Sequence, residues 1–449
     1  MVAKNTKNLL LNVCVLLVLW SNSAGGSHKT DWTFAIYMEA GTPDMHSWLL
    51  KNMDAMALAT SNAKKLNIVT QVHLEGSEAW RYVIRQNAIS PQQTVTISSD
   101  GGQNIVDFMK WAVKKHPANH YGLILWGHGF GLLDPTHRPT SVDFFAWDVD
   151  PDEPGHECTN GVCPLKSQDL ISNHFLHRSY VDSCSGCSRG LLFTDAHTFV
   201  NNASLVATLK AIKETVLKGN KLDILGTDCC KMAMLEVGYQ VKDFATFLVG
   251  SQNCEMKDGW NYQNFFSCFN EPPVEAATAA QAIVKTYGDY YEKHTVQNTY
   301  TISALDLSHL TPLVANLNEV ATLSKKLLTE NKAAFKALLI NARMASPSMC
   351  QASYYLDLAS VYANLLEELN KPEAAAVANA AAVAALKNVL AQGQELIKAV
   401  VAANVTGTAV QNMHGISFYF PRNVIDASYL LTPFAQETAW LGVLQEVIG

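Results

Sequence analysis

The sequence predicts an α/β fold in which a mostly parallel sheet is sandwiched by helices and followed by a largely α-helical C-terminal region. Two observations carry this expectation. From Asp31 to about Phe269, short apolar runs alternate with stretches of helical periodicity, the rhythm of strands joined by covering helices. Beyond Pro272-Pro273 the pattern turns to long helices. The composition agrees with a large core, because 48% of the 449 residues are hydrophobic and only 16% are charged. A net charge of −7 without any basic run argues against a nucleic-acid partner.

At the start of the chain, Lys4 and Lys7 precede an apolar run from Leu9 to Trp20, and small residues follow from Ser21 to Gly26. Basic, apolar and small in that order is the layout of a secretory signal peptide, expected over residues 1–25. An N-terminal anchor is the alternative, but a short run interrupted by Asn12 falls well below the ~20 residues of a membrane span. The rest is expected to be secreted or periplasmic, without membrane contact.

The first domain is expected over residues 30–270. Strand-like runs extend from Trp32 to Met38, Leu66 to Val72, Tyr121 to Trp126, Leu222 to Thr227 and Ala245 to Val249. Helical patterns are expected from Trp48 to Ala63, Asn104 to Lys115, Ala203 to Lys218 and Lys231 to Tyr239. Residues 132–188 break the rhythm. They are rich in Asp, Pro, Gly, Ser, His and Cys and too long for an ordinary connection, which predicts a surface insertion. Residues 271–449 form the mainly helical subdomain, with helices expected from Val274, Leu310, Ala333 and Leu356. An Ala-rich helical stretch runs from Ala374 to Ala403, with Gly393 as a candidate break, and a late strand from Ile416 to Phe420 is closed by Pro421.

Two residues attract chemical interest. His128 follows the apolar run ending at Trp126 and lies between Gly127 and Gly129, which let the backbone turn sharply. Cys230 follows the run ending at Thr227 and is expected at the N-terminus of the next helix. Ligand clefts open at the carboxyl ends of parallel strands, so the fold would bring both to one rim. A thiol beside an imidazole and a helix N-terminus has its thiolate favoured, which is what a cysteine nucleophile needs. Without further context, a buried or disulfide-bonded Cys230 and a turn-forming His128 are the competing interpretation.

Five ordered segments resolve that competition. Trp32 to Met38, His120 to Gly129, Asp228 to Val237, Val249-Gly250-Ser251 with Asp258 to Tyr262, and His414 to Pro421 together resemble the clostripain family of cysteine peptidases. The resemblance implies a caspase-like fold and a secreted endopeptidase cutting after Arg or Lys. It implies a His128–Cys230 catalytic pair and an oxyanion site formed by the N–H groups of Gly129 and Cys230. It also implies that Asp228 and Asp258 receive the basic side chain, a carboxylate pair preferring a cation. Strand parity turns Asp228 and Cys230 to the same side and Cys229 away, while Asp228 as a helix cap is the alternative. This chain departs from the family at Cys229, where Ala is usual, at Lys231, where Leu is usual, and at Glu39-Ala40-Gly41 after the first strand.

The resemblance further implies self-cleavage within residues 132–190, where Arg189, Arg178 and Lys166 are the candidate positions. It admits calcium, although no calcium-loop pattern of the EF-hand type is present. No cofactor is required and no metal ligand is assigned. Cys158, Cys163, Cys184 and Cys187 are spaced for two disulfides in an exported protein or for one zinc ion. Expected partners are proteins or peptides with basic residues. The rival function is that of an inactive relative acting as a secreted binding protein.

Overall fold

The computed structural model describes residues 29–133 and 191–448, apart from 42, 60–63, 75, 196–197, 271–273, 296–297, 351 and 378. The expected signal peptide, Cys158, Cys163, Cys184 and Cys187 of the insertion, and Lys166, Arg178 and Arg189 lie outside the described residues.

In chain order the strands are β1 (Thr30–Glu39), β2 (Leu66–His73), β3 (Glu78–Arg85), β4 (Ala88–Thr96) and β5 (Ala118–Trp126). They continue as β6 (Leu191–Asp195), β7 (Thr198–Val200), β8 (Leu222–Asp228), β9 (Ala245–Gly250) and β10 (Thr301–Asp306). The last are β11 (Ser348–Met349), β12 (Ala352–Asp357), β13 (Val401–Thr406) and β14 (Ser417–Tyr419). Nine of them form one sheet in the order β13-β10-β9-β8-β5-β1-β2-β3-β4. The centre from β9 to β2 is parallel, as expected, while β3–β4 on one flank and β10–β13 on the other pair antiparallel.

The apolar runs become central strands because both of their faces are buried. In β1, Ala35 and Tyr37 join one core, while Trp32, Phe34, Ile36 and Met38 join the other. Residues of the helices Pro43–Leu58, Tyr262–Ser267 and Ala276–His294 pack into the second core. The helices Gly101–Lys115, Asn202–Ala211, Leu235–Val241 and Leu310–Glu330 contribute to the first, joined there by Lys332–Ala345, Leu358–Glu368 and Ala380–Val400. The last four of these, all from the C-terminal region, pack in the same core as the central strands.

Three expectations change. The C-terminal region, expected to be mainly helical, also supplies β10 to β14, two of which complete the main sheet. The Ala-rich helix ends at Val400, and the chain runs without a break into β13. Gly393 does not interrupt that helix. Its missing Cβ admits the Tyr362 ring and Asn316 Oδ1, so its role is close helix approach. Finally, the helix expected from Lys231 begins at Leu235, after an extended stretch held by Ser417.

Candidate active site

The β5–β8 ladder determines where His128 and Cys230 stand. Its parallel register sets Leu125 opposite Thr227 and Trp126 opposite Asp228. Two further steps along each chain lead to His128 and Cys230. The connection is tight: the Gly127 N–H donates to the Asp228 carbonyl at 3.3 Å. A Cβ on Gly129 would stand 2.6 Å from Cys230 O and 3.0 Å from Cys230 N, so only glycine lets this loop lie on the cysteine's backbone. Both residues on either side of His128 therefore touch the Asp228–Cys230 segment. His128 and Cys230 are themselves buried.

The two adjacent cysteines have opposite surroundings. Cys229 is fully buried in the first core, and its thiol donates to the Leu125 carbonyl at 3.3 Å. Burial, reinforced by the Asp228 charge, pushes that thiol well above its ordinary range and keeps it protonated. Cys230 faces elsewhere, and its sulfur accepts the Glu255 backbone N–H at 3.1 Å. A donor aimed at sulfur favours the thiolate. This N–H stands where a helix N-terminus was expected, because Cys230 lies in a turn with Lys231 at φ 62 and the helix begins only at Leu235. No disulfide links the described cysteines.

Asp228 lies on the side of β8 away from Cys229. One of its carboxylate oxygens, Oδ2, accepts both the Tyr262 hydroxyl at 2.8 Å and the Trp260 N–H at 3.1 Å. Burial pushes this carboxyl up to about 7, against the pull of those two donors. Asp258 is placed differently. It sits at the surface, where Oδ1 binds Lys51 Nζ at 2.6 Å and Oδ2 accepts the Tyr290 hydroxyl at 2.7 Å. Asp228 is thus buried and held by neutral donors, whereas Asp258 is partly exposed with its charge already paired to Lys51. Glu39, the last residue of β1, is held by His73 Nδ1 at 2.7 Å. Among the described residues no group of three or more His, Cys, Asp or Glu side chains is set to hold a metal ion.

The sequence did not single out Glu255, which supplies the N–H to Cys230 and places its carboxylate near Asp228. The available signal was an acidic residue in the loop after β9, at the same rim. Nor did the sequence explain the His414–Pro421 segment, which proves to be a buttress. Ser417 N–H donates to Ala233 O at 3.0 Å, and Tyr419 N–H donates to Glu236 Oε1 at 2.7 Å. Gln252 joins this segment to the loop after β9, donating to Asp357 at 3.0 Å and accepting the Gly415 N–H at 2.6 Å.

The model of the clostripain family matches residues 36–153 and 195–446, well over half of the chain. The chain belongs to the clostripain family. Its cysteine peptidases also supply similar solved structures. A secreted C11 cysteine protease from Bacteroides thetaiotaomicron, iotapain, superposes with a TM-score of 0.60 at 15% identity, covering 93% of this chain and 99% of that one. A secreted C11 cysteine protease from the same organism, in complex with an irreversible peptide inhibitor, gives 0.58 at 13%, covering 92% and 99%. An inactive zymogen C11 protease from Parabacteroides distasonis gives 0.55 at 15%, covering 93% and 98%. At such identities these likenesses show the fold, the mostly parallel sheet flanked by helices. No curated protein matches the chain. As in a clostripain-family peptidase, the substrates are proteins or peptides. No described helix is long and apolar enough to cross a membrane.

Proposed function

We propose that this clostripain-family chain is an exported cysteine endopeptidase that cuts after Arg or Lys by a Cys230–His128 dyad. The observation that carries the reading is the seating of Gly129 on the Cys230 backbone, next to the Trp126–Asp228 register pair. His128 takes the proton of the Cys230 thiol at its ring, and the sulfur attacks the scissile carbonyl, forming a tetrahedral oxyanion. The N–H groups of Gly129 and Cys230 hold that oxygen. His128 then protonates the departing amine, and water hydrolyses the thioester to free acid and thiol. Asp228 receives the basic side chain, and Asp258 with Lys51 forms the outer edge of that pocket.

Export rests on the basic, apolar and small order of residues 1–26, and the likeness to structures described as secreted supports it. Self-cleavage within 132–190, at Arg189 ahead of Arg178 and Lys166, completes the proposal, and the zymogen neighbour supports it. Fluorogenic peptides ending in Arg, Lys, Asn or Asp, assayed with the parent chain and Cys230→Ala, test the specificity. Cleavage after Arg or Lys that vanishes in Cys230→Ala is expected, and no cleavage after either ends the proposal. N-terminal sequencing of both purified chains tests processing: a cut after Arg189 in the parent alone is expected, and an uncut parent rules it out.

A further inference from the structure

Five cysteines lie among the described residues, and their surroundings sort them. Cys229 is committed to the first core through Leu125 O, and Cys230 meets the Glu255 N–H. Cys268 ends the helix Tyr262–Ser267 at the surface, where its thiol donates to Asn264 O at 3.4 Å. Cys254 and Cys350 are 96 residues apart in sequence, yet the fold brings them together. The Cys254 thiol is directed at the Cys350 carbonyl at 3.9 Å, and the Cys350 N–H donates to Asn253 Oδ1 at 2.6 Å. Both polar ends of the Cys350 backbone therefore rest on residues 253 and 254, and the Cα that joins those ends lies against the same pair. Asn253 is a firm anchor: its N–H reaches Ser251 Oγ at 3.1 Å and Thr301 Oγ1 at 3.0 Å, and its Nδ2 donates to Thr299 O at 3.3 Å. Cys254 is buried, and Cys350 is half-buried.

We infer that Cys254 and Cys350 are a disulfide site, whose closure ties the loop after β9 to the turn between β11 and β12. The oxidant is a low-molecular-weight disulfide. The more exposed sulfur, that of Cys350, attacks it as thiolate, one thiol leaves, and a mixed disulfide remains on Cys350. The Cys254 thiol then gives up its proton and attacks the Cys350 sulfur, and the second thiol is expelled with that proton. Two cysteine thiols are oxidised, and one external disulfide is reduced to two thiols. The link acts on the candidate active site through the next residue along the chain. Cys254 precedes Glu255, whose N–H meets the Cys230 sulfur, so a covalent tie at 254 holds in place the donor that favours the Cys230 thiolate. It also engages the thiol beside that contact and leaves Cys230 outside any bridge. The inference rests on the proposed export for its oxidising surroundings and on the proposed peptidase only for its effect on turnover.

Peptide mapping by mass spectrometry reads the bridge without reading activity. The full-length parent and its Cys230→Ala version are equilibrated with oxidised glutathione, denatured, blocked with iodoacetamide and digested with an added protease. A linked peptide joining 254 to 350 is expected in both chains, and dithiothreitol should convert it into two alkylated cysteines. Alkylation of both residues in the oxidised chains overturns the inference, and so does a link from either to another cysteine, Cys230 included. Melting supplies a second reading, because a closed loop of this length confines the unfolded chain. The oxidised Cys230→Ala chain should melt several degrees above the same chain carrying Cys350→Ser, and dithiothreitol should bring the two together. Equal melting of the two oxidised chains overturns the bridge. Should Cys350→Ser fail to fold, Cys254→Ala takes its place in the melts, with the mapping unaffected. A parent that forms the 254–350 link but cleaves after neither Arg nor Lys sinks the peptidase proposal and leaves the bridge standing. A parent that cleaves after basic residues with 254 and 350 both alkylated after oxidation sinks the bridge alone.

Discussion

Neighbouring cysteines with unlike surroundings make opposite demands on substitution. Cys229 fills a dry site and donates to Leu125 O, so Cys229→Ala should cost on the order of 1 kcal/mol of stability while turnover persists. Cys230→Ala should leave stability near the parent's and abolish turnover, and mapping of iodoacetamide adducts should lose the one at position 230 while keeping the one at exposed Cys268. Gly129→Ala drives a methyl into the Cys230 backbone, and kcat is expected to fall by about 10²-fold as the reacting groups are displaced. Asp228 offers a test by pH. Its folded carboxyl sits near 7, above the ordinary value of 3.8, so the native state binds more protons than the unfolded state between those limits. Stability from this group therefore falls as pH rises from about 4 to 7 and is constant above. Relative to the parent, Asp228→Asn should gain in Tm across that window, with no gain at pH 4. A gain present at pH 4 and unchanged at pH 8 contradicts the assignment. Recognition runs the other way: KM for a basic substrate should fall as pH rises through about 7, because the carboxylate must be charged to hold it.

Among the elements, those with local sequence signals were legible and those made by distant pairing were not. His128 could be read because a buried run and two glycines announce a strand leaving for a sharp turn. The helix expected from Leu310 starts there because Leu310–Glu330 carries a steady 3.6-residue pattern. The hairpin β3–β4 turns at Gln86-Asn87 with Asn87 at φ 57, and it lacks the glycine that usually marks such turns. β13 hides behind the Ala-rich helix because no Gly or Pro separates them, and pairing with β10 alone makes it a strand. The helix after Cys230 starts late because Met234 bridges to Ser417, a partner too distant in sequence to be inferred from local pattern. Helix approach at Gly393 gives a prediction at this scale. Gly393→Ala forces a methyl against Tyr362 and should destabilise by about 1–3 kcal/mol. A drop of a few degrees in Tm with the Arg-to-Lys preference unchanged is expected from thermal melts and peptide assays.

Over the whole molecule, the boundary expected near residue 270 does not separate two cores. β10 and β13 extend the sheet past β9, and Leu310, Leu313 and Leu317 pack in the same core as Leu125 and Leu225. Denaturation followed by far-UV circular dichroism and by tryptophan fluorescence should therefore give coincident transitions. A chain ending at residue 295 would leave β9 as an apolar edge and is expected to be insoluble. The outer edge at β4 is managed by other means: it is largely exposed and carries Pro91, which withholds one donor from any incoming strand.

The hydrogen bonds from Ser417 and Tyr419 to the stretch after Cys230 also impose an order in time. Translation delivers Cys230 almost two hundred residues before the segment that seats it. A half-made chain thus carries position 230 unseated, and on the proposed mechanism competence arrives only when the last strand has emerged from the ribosome.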